Sequence, residues 1–345
     1  MSKPTRFSQA ALIGWARDLG PDRLASESLE AVLAPVLSRL KLPQGVLANM
    51  TGINYRYLYP ADSPTHYGGW VAAKKLLAEW PDLTEKIEIH FSTSVGRDFL
   101  EPSVSSTVSS LLGLGPTVKN LDLGSACLGF IEALELAARL IEGDSLGYAL
   151  VTAGENSRPL LENTLSRLLE PDITAKEFFR HFASLTLGSG GAAALVGPAK
   201  FHPLAPKIKA VVSLADVQSN DLCQGDFSSM TTDAPKLLTA GVKLAAETFQ
   251  LGRDSFGWIA DQFDAIICHQ VSRANTDKLR ETLALPNERL LRTYPDFGNM
   301  GPLAVPFAFD LAWEKNLLKP GDRALLMGIG SGLATAMMEL AIPKA

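Results

Sequence analysis

The sequence predicts an α/β protein made of two copies of one unit. Short strand-like apolar runs alternate with segments in which apolar residues recur at helical spacing. The order of these elements in the first half recurs after about 175 residues in the second half. This repeat indicates sheets with mixed or mostly parallel strands, covered by helices. We therefore expect two halves, residues 1–197 and residues 198–345, the first carrying a helical insertion.

The first half contains four predicted strands and five predicted helical segments. Strands are expected over residues 10–15, 87–93, 120–123 and 148–153, and helices over 29–40, 69–79, 102–112, 128–141 and 159–182. Ser26 is the expected N-cap of the first helix, and Pro102 the expected first residue of the third. Residues 51–57 are expected to form a loop rich in aromatic residues.

The second half repeats this order with fewer elements. Strands are predicted over residues 263–268, 290–294 and 324–328, with one helix after Arg273 and another that ends near Lys315. Residues 263–273 are the counterpart of residues 87–97, and residues 290–328 are the counterpart of residues 120–153. Equivalent turns of the two halves are therefore expected to face each other across a pseudo-two-fold axis.

The overall composition excludes several classes of function. The chain has 345 residues, 46% hydrophobic and 20% charged, which is typical of a globular enzyme. Its net charge of −5 and the absence of a Lys/Arg cluster argue against a nucleic-acid partner. No apolar stretch approaches the about 18 residues of a membrane span, and no convincing signal peptide is present. Three widely spaced cysteines fit neither disulfide nor metal-site spacing, so we expect a cytoplasmic protein without a metal.

Cys127 is the candidate nucleophile. It lies between a predicted buried strand at residues 120–123 and a predicted helix from Leu128, in a turn with small neighbours. A helix N-terminus can lower the pKa of a thiol, so we expect a reactive thiolate. The alternative, that Cys127 is a small core residue, is disfavoured by the turn and its small flanks.

His269 and Asn299 are the candidate partners of Cys127. His269 ends a predicted strand of the second half, and Asn299 lies in the turn equivalent to that of Cys127. Alone, His269 is equally a satisfied core histidine, and Asn299 equally a residue tolerating a left-handed turn. Together, a Cys, a His and an Asn are the residue set of acyl transfer. A papain-like hydrolase has the same order, but its local signature is missing around Cys127 and the repeated α/β pattern does not fit it.

Four motifs carry a resemblance to a known family. Residues 122–130, 268–273, 297–302 and 328–333, in this order, resemble the thiolase superfamily in its ketoacyl synthase III branch. The resemblance covers nearly the whole chain. It implies the five-layer αβαβα thiolase fold, a homodimer, and coenzyme A thioesters as substrates without a further cofactor.

Within this branch, three segments resemble the head-to-head condensing enzymes of bacterial long-chain olefin biosynthesis. These segments are residues 51–53, 94–103 and 185–188. The resemblance implies a non-decarboxylative Claisen condensation of two fatty acyl-CoA molecules to a 2-alkyl-3-oxoalkanoic acid. It also suggests downstream enzymes of that pathway as partners, since a β-keto acid of this kind is unstable.

This reaction requires a base, for which Glu101 is the candidate. Condensing two simple acyl thioesters requires removal of an α-proton, whereas a malonyl-using synthase obtains its carbanion by losing CO₂. Biosynthetic thiolases use a second Cys, but the corresponding turn here holds Ser331. The resemblance implies that Glu101 reaches the partner subunit's active site, whereas the alternative is a charge that complements a helix dipole. The expected oxyanion hole consists of the backbone N–H groups of Cys127 and Gly332.

Two other functions remain open from the sequence. A 3-oxoacyl-ACP synthase III, joining an acyl-CoA primer to malonyl-ACP, would need Cys127, His269 and Asn299 but not Glu101. A catalytically silent acyl-binding protein on the same scaffold is disfavoured by the intact catalytic residue types.

Overall fold

The computed structural model describes residues 3–226 and 228–344. Within them lie fourteen strands and twelve α-helices, with short 3₁₀ helices between. The strands are β1 (Thr5–Arg6), β2 (Ala10–Leu19), β3 (Asp22–Ala25), β4 (Tyr55–Leu58), β5 (Ile87–Ser92), β6 (Lys119–Asp122), β7 (Tyr148–Glu155), β8 (Gly190–Pro198), β9 (Lys207–Ala215), β10 (Cys223–Gly225), β11 (Met230–Thr232), β12 (Ala265–Cys268), β13 (Arg323–Gly330) and β14 (Ala334–Ala341). The helices are α1 (Ser26–Arg39), α2 (Val46–Thr51), α3 (Tyr67–Glu79), α4 (Pro81–Thr84), α5 (Val104–Leu112), α6 (Gly129–Glu142), α7 (Arg158–Leu168), α8 (Ala175–His181), α9 (Ala234–Phe256), α10 (Arg273–Leu283), α11 (Tyr294–Phe297) and α12 (Ala304–Glu314).

The main sheet consists of two halves that meet at one residue pair. In the first half the order is β6-β5-β7-β8-β2, with β5 parallel to both β6 and β7 and the remaining pairs antiparallel. In the second half the order is β12-β13-β14-β9, with β12 parallel to β13. Ala11 of β2 opposite Lys207 of β9 joins the two halves. The predicted mixed sheets are therefore confirmed.

Helices cover both faces of each half-sheet. Helix α3 packs on β2, β7 and β8, and α9 packs on β9 and β14. Helices α6 and α12 contact strands of both half-sheets and so lie between them. The largest apolar cluster fills this central space and includes Leu134, Ala138, Phe307 and Ala308, all nearly inaccessible to solvent. The layer order is helix, sheet, helix, sheet, helix, the order expected of the thiolase fold.

The internal repeat persists in the pairing of the strands. In the first half β6 lies beside β5 in parallel. In the second half the counterpart is a single parallel bridge between Ile266 of β12 and Leu290. The strand predicted at residues 290–294 is therefore wrong. The Gln270 side chain forms hydrogen bonds with the backbone of this segment in place of a neighbouring strand: its amide group donates to the Leu291 carbonyl and accepts from Thr293 N–H.

Three other local predictions are wrong. Residues 51–57 are not all loop, since Tyr55 begins β4, which pairs with β3. The N-cap of α1 is Ala25, because the Ser26 hydroxyl donates instead to the Ile53 carbonyl at 2.6 Å. Helix α5 begins at Val104 rather than Pro102, because the Ser103 side chain caps it by accepting the Ser106 N–H.

Helices α7 (Arg158–Leu168) and α8 (Ala175–His181) occupy the stretch predicted to be helical, whereas its character as an insertion and the division of the chain at residue 197 stay predictions. No helix in the described ranges is long and apolar enough to span a membrane.

Candidate active site

Cys127 lies in a strand-to-helix turn, as predicted. Strand β6 ends at Asp122, a 3₁₀ turn covers Ala126–Leu128, and α6 follows directly. Ala126 has a φ of 46°, a left-handed conformation that is uncommon outside glycine and marks a tightly constrained turn. Strand β6 itself is half-exposed rather than buried, because it forms the edge of the sheet and has β5 as its one neighbour.

The turn between β13 and β14 packs against the Cys127 turn. A Cβ on Gly330 would stand 2.6 Å from the Ser125 carbonyl oxygen and 3.0 Å from Leu128 Cβ. The second half of the chain therefore supports the Cys127 turn at a point where only glycine fits. Gly332, the other residue predicted for the oxyanion hole, is exposed in this turn with a φ of 122°.

The surroundings of Cys127 do not lower its pKa. Burial is the largest effect, and the negative charge of Glu155 acts in the same direction, raising the pKa of the thiol to about 12. The expected low-pKa thiolate is therefore wrong for this structure, because desolvation outweighs the N-terminal dipole of α6 behind the short 3₁₀ turn. Cys127 is a neutral thiol at pH 7.

His269 follows β12 and is almost fully buried. Its backbone N–H donates to the Met327 carbonyl at 2.8 Å, which fixes the residue beside β13. Burial lowers the pKa of the imidazole to about 4, although a hydrogen bond with the Gly301 backbone opposes this. Nδ1 is buried without a hydrogen-bond partner among the described residues. His269 is thus a neutral imidazole, suited to donating a hydrogen bond to a carbonyl oxygen.

Asn299 is held by backbone bonds to the segment that precedes β8. Its N–H donates to the Thr186 carbonyl at 2.8 Å, and its own carbonyl accepts from Gly188 N–H at 2.9 Å. The side-chain Oδ1 accepts the Gly301 N–H at 3.0 Å, which leaves the Nδ2 group as the donor. The left-handed residues of this turn are Gly298 and Gly301, so Asn299 is not present merely to adopt a positive φ.

Gly301 links these residues into one site. Its N–H donates to the Asn299 side chain, and its backbone acts on the pKa of the His269 imidazole. The 3₁₀ turn that it begins, Gly301–Leu303, contacts the 3₁₀ turn that holds Cys127. The structure therefore brings together the turns of Cys127, His269 and Asn299, from both halves of the repeat.

Glu101 does not belong to the group formed by Cys127, His269 and Asn299. It is exposed in the segment between β5 and α5, just before Pro102. At the end of this segment the Asp122 carboxylate accepts the N–H groups of Val104 and Ser105, each at 2.9 Å. Asp122 thus ties the start of α5 to the strand that leads to Cys127.

Sequence reasoning missed Glu155, a carboxylate at the end of β7. Its charge acts on Cys127, and its two oxygens accept backbone N–H groups of Val95 and Gly96. The available signal was a charged residue directly after the apolar run of β7. Among the described residues, no cluster of His, Cys, Asp and Glu is arranged to hold a metal ion.

Comparisons with known proteins agree with this architecture. The family model for the C-terminal part of 3-oxoacyl-[acyl-carrier-protein] synthase III matches residues 254–342. An acyl-CoA:acyl-CoA alkyltransferase of Xanthomonas campestris is 36% identical over 97% of this chain and 99% of its own. A protein of the same name from Shewanella oneidensis is 30% identical over 97% of this chain and 99% of its own.

A solved structure and a more distant relative support the same family assignment. The crystal structure of a cysteine-to-serine variant of Xanthomonas campestris OleA, with bound lauric acid and lauroyl-CoA, matches with a TM-score of 0.95 and 36% identity, covering 97% of this chain and 99% of that one. A ketoacyl synthase III of Streptomyces coelicolor is more distant, at 26% identity over 85% of this chain and 87% of its own. The chain therefore belongs to the thiolase superfamily, in the ketoacyl synthase III branch that includes the OleA proteins.

Proposed function

We propose that this protein joins two fatty acyl-CoA molecules by a non-decarboxylative Claisen condensation, giving a 2-alkyl-3-oxoalkanoic acid and CoA. The observation that carries the proposal is the convergence of the Cys127, His269 and Asn299 turns on Gly301, on a chain that also presents an exposed carboxylate at Glu101. The relatives named acyl-CoA:acyl-CoA alkyltransferase support this substrate class.

In the first step, the Cys127 sulfur attacks the carbonyl of one acyl-CoA. A sulfur–carbon bond forms, the bond to CoA breaks, and the thiol proton leaves with CoA as free CoA-SH. The negative charge on the carbonyl oxygen is accommodated by the backbone N–H groups of Cys127 and Gly332. The product of this step is an acyl-cysteine.

In the second step, Glu101 removes an α-proton from the second acyl-CoA. The thioester oxygen receives hydrogen bonds from the neutral His269 imidazole and from Asn299 Nδ2, which stabilise the enolate. The carbanion attacks the acyl-cysteine, a carbon–carbon bond forms, and Cys127 leaves and regains its proton from Glu101. Water then cleaves the β-ketoacyl-CoA to the β-keto acid and CoA-SH.

A homodimer forms part of this proposal, with Glu101 serving the site of the partner subunit. The edge strand β6 leaves Leu121 47% exposed, and the nearby segment with Glu101 leaves Leu100 80% exposed. An apolar sheet edge of this kind is suited to pairing with a second copy. We place the protein in the cytoplasm. We also propose that downstream enzymes accept its product and reduce the β-keto acid before it decarboxylates.

The alternative is a 3-oxoacyl-ACP synthase III, favoured by the family model that matches residues 254–342. CoA release and product mass are measured with one long-chain acyl-CoA as the sole substrate, and then with malonyl-ACP added. Continuous turnover with acyl-CoA alone, yielding the β-keto acid or its ketone, supports the condensation of two acyl-CoA molecules. A single burst of CoA that becomes turnover with malonyl-ACP refutes it.

A glutamine variant separates the two functions further. Glu101→Gln is expected to retain the CoA burst and lose turnover with acyl-CoA alone. Glu79→Gln, at an exposed glutamate that ends α3, is the control and is expected to behave as wild type. Normal turnover of Glu101→Gln with malonyl-ACP present, and a single burst with acyl-CoA alone, would favour the malonyl-using synthase.

A further inference from the structure

The carboxylate of Glu155, at the end of β7, anchors the segment that follows the neighbouring strand β5. Strands β5 and β7 run in parallel and pair Ser92 with Thr152, so the chain beyond β5 passes next to Glu155. Oε1 accepts the Val95 N–H at 2.5 Å, and Oε2 accepts the Gly96 N–H at 3.1 Å. One carboxylate therefore holds two successive backbone N–H groups at the start of the segment that carries Glu101.

Two other carboxylates hold the same segment further along. Asp98 accepts the Thr65 N–H with both oxygens, at 2.9 and 3.1 Å. Asp122 accepts the N–H groups of Val104 and Ser105 at the start of α5. Glu101 is exposed between these fixed points, so its position depends on the anchors rather than on contacts of its own side chain.

Glu155 also lies within electrostatic reach of Cys127. Its charge is the second cause, after burial, of the raised pKa of the Cys127 thiol. Burial raises the pKa of Glu155 itself to about 7, although the two backbone N–H bonds favour the ionised form. Removing the Glu155 charge therefore does not hinder thiolate formation at Cys127. A variant without this charge should keep the acylation of Cys127, so an effect on the position of Glu101 can be measured separately.

We propose that Glu155 is a positioning residue, which fixes the segment between β5 and α5 so that Glu101 meets the α-proton of the second acyl-CoA. This inference rests on the proposed function, in which Glu101 is the base. In Glu155→Gln the side chain keeps a single acceptor oxygen, so one of the N–H groups of Val95 and Gly96 loses its acceptor, faces an NH2 group instead, and the segment shifts. A displacement of about 1 Å in a catalytic group costs about 100-fold in rate.

The test uses a long-chain acyl-CoA deuterated at Cα, with mass spectrometry of deuterium loss, product and acyl-cysteine. For Glu155→Gln we expect acylation of Cys127 at or above the wild-type rate, with deuterium loss and condensation both about 100-fold slower. Glu162→Gln, at an exposed glutamate on α7, is the matched control and should leave all three rates unchanged. Acylation and condensation that fall together in a variant with the wild-type urea midpoint would overturn the proposal.

A second variant disturbs the same contact from the other side. A Cβ on Gly96 would stand 3.2 Å from Glu155 Oε2 and 2.8 Å from Thr65 Cγ2, so Gly96→Ala pushes the segment away without touching the carboxylate's charge. We expect the same split, with acylation retained and deuterium loss slowed. Wild-type deuterium loss in both variants overturns the positioning role alone. A wild-type enzyme that neither loses deuterium nor condenses acyl-CoA overturns the proposed function and this inference with it.

Discussion

Gly330 lies directly against the Ser125 carbonyl, where an added Cβ would come within 2.6 Å of the oxygen. Ser125 immediately precedes the 3₁₀ turn of Cys127, and the obstacle is backbone rather than a flexible side chain. Through this contact the β13–β14 turn of the second half packs against the turn of Cys127, the proposed nucleophile, in the first half.

Gly330→Ala should therefore damage both stability and acylation. Overpacking of this kind costs about 1–3 kcal/mol, and the Cys127 turn must move to relieve it. We expect a lower urea midpoint and a CoA burst at least about tenfold slower than wild type, since catalytic geometry tolerates little displacement. Gly115→Ala is the control, because a Cβ at position 115 meets nothing within 4 Å. An unchanged burst in Gly330→Ala would contradict the support that we assign to this contact.

The pKa of Cys127 gives a prediction about its reactivity in the free enzyme. Because burial raises the pKa to about 12, the thiolate fraction rises about tenfold with each pH unit across the neutral range. The rate of iodoacetamide labelling at Cys127 should follow this rise from pH 7 to pH 10 without a plateau. Peptide mass spectrometry separates Cys127 from Cys223 and Cys268. A plateau reached below pH 8 would instead indicate the dipole-stabilised thiolate that the sequence pattern predicts.

The positions of Cys127, His269 and Asn299 were predictable from the repeat. Periodicity located Cys127 in a strand-to-helix turn and His269 at the end of a strand, and the repeat paired the turn of Asn299 with that of Cys127. These positions depend on local pattern and element order, which a sequence carries directly.

Contacts between distant residues could not be predicted in this way. The hydrogen bond from Val95 to Glu155 joins residues that are 60 positions apart in the chain, and neither local sequence pattern predicts it. The prediction of a strand near Leu290 is wrong for the same reason, because the backbone of this segment forms its hydrogen bonds with the side chain of Gln270, elsewhere in the chain. The pKa of Cys127 depends on burial by the assembled halves, which outweighs the dipole that the local pattern indicates.

Complementation between subunits tests where Glu101 acts. In a mixed dimer of Cys127→Ala and Glu101→Gln chains, the intact cysteine and the intact glutamate lie on different subunits. If Glu101 serves the partner's site, one site per mixed dimer is complete, and co-expressed, doubly tagged dimers should show about half of the wild-type turnover with acyl-CoA. Homodimers of either variant serve as controls and should be inactive. No recovery in the mixed dimer would place Glu101 in the site of its own subunit.

His90 couples stability to pH through a fully buried network. On β5, its Nδ1 lies 2.8 Å from the Ser109 hydroxyl and its Nε2 lies 2.8 Å from the Thr152 hydroxyl. Burial lowers the pKa of His90 from 6.5 to about 4. Between these values the unfolded chain binds the proton and the folded protein does not, so acidification favours unfolding.

His90 should therefore contribute stability that is complete above pH 6.5 and lost as the pH falls towards 4, about 3 kcal/mol in all. Urea unfolding of wild type and His90→Gln between pH 7.5 and pH 4.5 measures this. Gln does not titrate, so the free-energy difference between the two proteins should be largest at pH 7.5 and shrink steadily on acidification. A difference that stays constant over this range would mean that folding does not shift the pKa of His90.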